Sequence, residues 1–249
     1  MPDMKPALYG RIFFGASAVL FGVIALMWHD ADTWQALLAI WRLPFGGLAG
    51  GCLMAAQIAG GIGIVSPRTA RPASVVLVIV YLLFSLVCLP AIFAAPATYE
   101  SYPGFFEQLS LLCGALALYI ATGASRARSA ALGRLARLGF AICTVSFALT
   151  QIFYFSPTVG MVPKWIPPSQ KFWAILTTAA FALAAIAILI NRRTRLALCL
   201  PTFMLALFGA LVWVPRLAAH PHAHFSWSEF ALTLLITGAA WMVAGLKRA

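Results

Sequence analysis

A few residues in this chain have types and spacing that chemistry can use. His220, His222 and His224 alternate through one short stretch, with Glu229 five residues beyond. Alternating histidines ligate zinc or copper when they converge. The simpler reading is a solvated loop, and no metal is assigned to it. His29 and Asp30 adjoin at the end of an apolar segment, as a proton-handling pair or as an interfacial anchor with a helix cap. Glu107 and Glu229 each stand near the start of an apolar segment. The helix dipole favours a carboxylate there by roughly 0.3–1 kcal/mol, and two matched carboxylates also suit a binding crevice. Gln57 and Gln151 are the long polar side chains within apolar segments; each bonds a neighbouring helix or faces a ligand. Tyr154 stands in the middle of an aromatic run, Phe153-Tyr154-Phe155. From these, His29, Asp30, Glu107, Gln151, Tyr154 and Glu229 form the candidate ligand-binding set.

The cysteines carry less. Cys52, Cys88, Cys113, Cys143 and Cys199 all fall inside apolar segments, with no CxxC and no metal spacing. They read as small buried hydrophobes. Cys52, Cys88 and Cys113 are expected at one depth, about 10–12 Å inside one surface at 1.5 Å per residue. Cys143 and Cys199 are expected toward the opposite surface.

Absences narrow the classes further. No GxxxxGK[ST] occurs, which leaves an ATP-driven pump without support. No Asp, Glu, Lys, Arg or His stands in the interior of an apolar segment, where ion-coupled transport and haem ligation between helices need one. Catalytic residues and cofactors stay unassigned, and whether the chain is an enzyme stays open.

The elements that must position these residues are membrane helices. Hydrophobic residues make up 63% of the chain and charged residues 9%, against roughly 25% charged in a soluble domain. Apolar runs long enough to span a bilayer occupy 8–28, 45–65, 72–95, 105–124, 136–156, 169–190, 195–216 and 227–246. The first is too long for a signal h-region and lacks a cleavage site, so it is expected to stay in place. The net charge of +11 is spread between segments, which argues against nucleic acid as a partner.

The charges also order the two sides. Lys5, Arg11, Arg68, Arg71, Arg126, Arg128, Arg134, Arg137, Arg192, Arg193, Arg195, Lys247 and Arg248 fall on one side; Arg42, Lys164, Lys171 and Arg216 fall on the other, with Asp30, Asp32, Glu100, Glu107 and Glu229. By the positive-inside rule both termini are cytoplasmic. On the outer side, 30–41 reads as a short amphipathic helix capped by Asp30 or Asp32, and the prolines between Tyr154 and Trp173 read as an interfacial loop.

The chain also looks written twice. Ile40-Trp41-Arg42-Leu43-Pro44 parallels Pro163-Lys164-Trp165-Ile166-Pro167, Arg68-Thr69 parallels Arg193-Thr194, and Leu89-Pro90-Ala91 parallels Val214-Pro215-Arg216. Four segments per copy keep both copies in one orientation, so the repeats are parallel. The expectation is an all-α membrane protein of eight transmembrane helices in two tandem four-helix repeats, 1–124 and 137–249, joined by a basic linker, 125–136. The second and sixth segments, rich in Gly and Ala, are expected to be the central, most tightly packed helices.

The second half, with Val162-Pro163-Lys164-Trp165-Ile166-Pro167 followed by a small-residue helix, resembles the DoxX-like family of bacterial membrane proteins. Phe155 stands where many relatives carry histidine, and the first half keeps Trp41-Arg42-Leu43-Pro44 of the loop. The resemblance implies four-helix units, the bacterial inner membrane and a redox or quinone context, and it transfers no catalytic set. Three function classes follow: a component associated with redox or quinone chemistry, a carrier or binder of an apolar small molecule, and an assembly partner for another membrane protein.

Overall fold

The computed structural model describes residues 4–28, 35–123 and 126–246. It is 85% helical, and no strand occurs among the described residues. The helices are α1 (Met4–Trp28), α2 (Gln35–Arg42), α3 (Gly46–Gly63), α4 (Ala70–Ala94), α5 (Pro103–Ala121), α6 (Arg126–Phe153), α7 (Phe155–Met161), α8 (Gln170–Leu189), α9 (Thr194–Phe208), α10 (Val214–Ala219) and α11 (His224–Ala244). A π-helical segment, Gly209–Trp213, fuses α9 to α10 into one span. Among the described residues, eight helices are long and apolar enough to cross a bilayer. The chain is therefore a multi-pass all-α membrane protein whose flanks meet lipid. Leu183, Leu196 and Phe203 are among the large apolar side chains left open on those flanks.

The spans pack in a closed ring. α1 lies on α3, α3 on α4, α4 on α5, α5 on α6, α6 on α8, α8 on α9, α9 on α11, and α11 returns to α1. α5 and α11 also meet across the ring. Advancing every span by four places carries each pairing of the ring onto another and the α5–α11 pairing onto itself.

The centre is not where the small residues predicted. In α11, 72% of the most apolar window is buried inside the protein, against 33% in α3 and 28% in α8. α11 is central and α5 is its partner; α3 and α8 are peripheral. The crossing is tight. A Cβ on Gly114 of α5 would lie 2.5 Å from the Cβ of Ala239 in α11, and one on Gly238 would lie 2.9 Å from the Cα of Phe14 in α1. Many of α3's small residues serve other contacts: Gly50 accepts the ring of Trp41 from α2, Gly61 faces the Gly15 carbonyl of α1, and Gly47 and Gly51 face open space.

Three local departures have proline or propensity as their cause. The aromatic run does not pass directly into a loop: α6 ends at Phe153 and α7 restarts at Phe155. Pro157 has no amide to donate to the Phe153 carbonyl, so the ladder breaks there and helix resumes beyond it. The π segment ends just before Pro215, a wide turn that suits a following residue without a donor. The basic stretch 125–136 is helical in its described part, where Arg126 begins α6. Ala, Leu and Arg are strong helix formers, and that stretch is built mostly from them.

Candidate functional site

α5 and α11 run in the same direction and begin at the same end of the bundle, opposite the end that carries Arg11, Arg68, Arg134 and Arg193. Pro103 stands in the first turn of α5, where its missing amide costs nothing. Glu107 follows one turn later, two turns before Gly114, and so shares the face that Gly114 turns to α11. Glu229 lies in the second turn of α11. The two carboxylates are close enough to act on each other electrostatically. Both residues are half-buried. Among the described residues, neither carboxylate has a cation or a hydrogen-bond donor against it. Of the six candidate residues, these two come together.

A groove of about 830 Å³ opens between α2, α4 and the 95–101 turn, and neither carboxylate is in its lining. Leu38, Leu43, Leu83, Leu86 and Val87 stand in its wall, and Arg42 and Glu100 add the charge. Cys88 lines the groove and lies within electrostatic reach of Glu107. It is the residue that the groove wall and the surroundings of Glu107 have in common. Nothing in the sequence marked Cys88 for this place, because only the packing of α2 over α4 creates the groove.

The other candidates sit apart. Gln151 on α6 accepts hydrogen bonds from Thr178 at 2.8 Å and Thr177 at 3.3 Å, both on α8. It ties two helices, as one of its two sequence readings held. Gln57 does the same, donating to the Ala18 carbonyl of α1 at 2.9 Å, while its buried Oε1 has no partner among the described residues. Tyr154 lies partly exposed at the break between α6 and α7. His29, Asp30 and the proposed cap Asp32 lie outside the described residues. His220, His222 and His224 are exposed, and His224 packs near the ring of Trp28. No three His, Cys, Asp or Glu side chains converge on a metal position among the described residues.

The cysteines also separate differently from expectation. Cys52 is exposed, Cys88 faces the groove, and Cys113 meets Cys143 of α6. Cys143 lies ten residues before the Phe153 end of α6, as Cys113 lies ten after the Pro103 start of α5. Counting Cys143 from a helix start at 136 misplaced it.

Tyr99 was not singled out by the sequence, yet it fastens the carboxylate end. Its hydroxyl donates to the Ser146 carbonyl at 2.7 Å and lies 3.0 Å from the Thr150 hydroxyl, and its ring stacks on Phe153 at 4.4 Å. The turn before α5 is thereby pinned to α6. At the starts of α8 and α11, Trp173 and Trp227 each donate an indole N–H to a proline carbonyl six residues upstream, Pro167 and Pro221. The starts of α8 and α11 are thus anchored, and Glu229 is carried on the second of them.

No protein-family model matches the chain, and neither a curated protein nor a solved structure matches it.

Proposed function

We propose that the protein binds an apolar small molecule with a hydrogen-bonding head, holding its body in the groove along α4 and its head toward Glu107 and Glu229. The observation that carries this reading is the carboxylate pair, facing across α5 and α11 without a described donor or cation. A protonated carboxyl group donates and an ionised one accepts, so two neighbouring carboxyls can offer a donor and an acceptor together. An apolar groove whose wall shares Cys88 with the surroundings of Glu107 suits a ligand that arrives from the lipid.

A quinone is the ligand class that the DoxX-like resemblance favours, since its carbonyl oxygens accept hydrogen bonds and its ring is apolar. The ring of eight spans, with pairings that repeat four places on, supports two tandem units, 1–124 and 137–249. The basic residues at one end support cytoplasmic termini in a bacterial inner membrane, which turns the carboxylate end outward.

Two experiments test this. The purified protein in lipid nanodiscs is titrated with decylubiquinone, followed by tryptophan quenching. Glu107→Gln and Glu229→Gln should each weaken binding about tenfold, or 1.4 kcal/mol, with the melting temperature nearly unchanged. Full-strength binding in both variants, or none in the parent, overturns the reading. For orientation, a single cysteine at Thr98 in a cysteine-free background should react with an impermeant maleimide in intact cells, and one at Ser129 should not. The reverse pattern overturns the orientation.

A further inference from the structure

α5 and α6 meet through two thiols. Cys113 is 3% exposed and Cys143 is fully buried, and their thiols face each other and interact across the contact. Gly139, one turn before Cys143, makes the room. A Cβ there would come within 2.8 Å of the Cys113 Sγ. The sulfur of Cys113 therefore lies in a notch on α6, with Gly139 as its floor and Cys143 as its wall.

Depth decides what can reach this pair. Each cysteine is ten residues from the carboxylate end of its helix, about 15 Å at 1.5 Å per residue. That is the middle of a hydrocarbon core roughly 30 Å thick. Aqueous disulfides and peroxides are poorly soluble there. Ile142, next to Cys143, and Leu138, next to Gly139, are open on the outer flank of α6. An oxidant reaching the thiols must be apolar and must come through the lipid.

We propose that Cys113 and Cys143 are a redox-active dithiol, oxidised to a disulfide by a lipid-soluble two-electron acceptor of the quinone class. Two S–H bonds break and one S–S bond forms. Two electrons and two protons pass to the quinone, whose carbonyl oxygens become the hydroxyls of a quinol. The new bond joins α5 to α6, the helices through which the first four spans connect to the last four. It does not depend on the proposed ligand groove, whose lining includes neither Cys113 nor Cys143.

The test uses the full chain in its native membranes under anaerobic conditions. Membranes are treated with decylubiquinone or with molecular iodine, the protein is denatured in N-ethylmaleimide, and the peptides are analysed by mass spectrometry. The expected result is a linked peptide joining Cys113 to Cys143, about 2 Da lighter than the two reduced peptides. Both maleimide labels should be lost and one quinol formed per link. Cys113→Ser and Cys143→Ser should each abolish the link and the quinol, and Cys52→Ser should leave both unchanged. Cys143→Ala replaces Cys143→Ser where the serine variant does not fold. Full labelling of both cysteines after iodine overturns the geometry. A link formed with iodine and absent with decylubiquinone overturns the quinone as oxidant, and a link from either cysteine to Cys88 overturns the pairing.

Discussion

The helices with the most small residues and the helices with the most burial are different helices. α3 holds seven glycines between Gly46 and Gly63 and lies at the rim of the ring; α11 holds one mid-helix glycine, Gly238, and lies at the centre. Small residues report where something comes close, and in α3 that something is often the ring of Trp41 or the flank of α1. What makes α11 central is contact on several sides at once, with α1, α5 and α9. A glycine count along one helix says nothing about how many neighbours share it. Close approach and centrality are separate properties, and each can be broken without the other.

The largest effect should come from closing the central crossing. Gly114→Val would put a Cβ 2.5 Å from the Ala239 Cβ and 2.6 Å from its Cα, and backbone cannot step aside as a side-chain end can. Overpacking of this kind costs about 1–3 kcal/mol, occasionally more. Fluorescence-detected size exclusion after a temperature series should show a clear loss of folded protein. A melting temperature equal to the parent's would mean that α5 and α11 are not the tight pair.

A smaller effect should come from the contact that holds α11 to the seventh span. Trp213, buried in the π segment, donates its indole N–H to Thr233 of α11 at 3.1 Å and carries the Arg216 guanidinium 5.1 Å from its ring centre. Trp213→Phe keeps most of the apolar volume and removes the donor, leaving the Thr233 hydroxyl with one partner fewer. The expected loss is about 1–2 kcal/mol, read by the same thermal series. Trp165→Phe, at an exposed position on the 162–169 loop, is the matched control and should change little.

Much of the fold was legible because the bilayer fixes span length. The run at 72–95 became Ala70–Ala94, and 169–190 became Gln170–Leu189. Which face of each span turns inward was not legible, and the reason is physical. In water an apolar stripe marks the core, but in lipid the outer face is apolar as well, so Leu183 outside and Leu235 inside look alike in sequence. Polar residues were the exception. Glu107 and Glu229, costly in an apolar setting, were matched from their positions at two helix starts, and they lie within electrostatic reach of each other. Gln151 was legible as a helix-bonding group, though not which helix it bonds. Cys88 and Cys143 carried no such mark, since a buried thiol resembles any small apolar group until its neighbours are known.

The smallest expected effect is the sharpest test of the distinction between close approach and composition. Gly47 and Gly51 sit in the middle of the same glycine-rich run as Gly50, yet a Cβ on either meets nothing within 4 Å, while one on Gly50 would collide with the ring of Trp41. If small residues were there for packing throughout α3, all three should resist enlargement. If only those with a neighbour matter, Gly51→Ala should gain the helix propensity that glycine forgoes, about 0.8–1.0 kcal/mol in an exposed position in water and less where lipid already favours helix. Gly51→Ala should then melt at or slightly above the parent, and Gly50→Ala below it, by the displacement of Trp41 from α3. Loss of stability in Gly51→Ala equal to that in Gly50→Ala would mean that a further surface, such as a second protein in the membrane, packs against that face of α3.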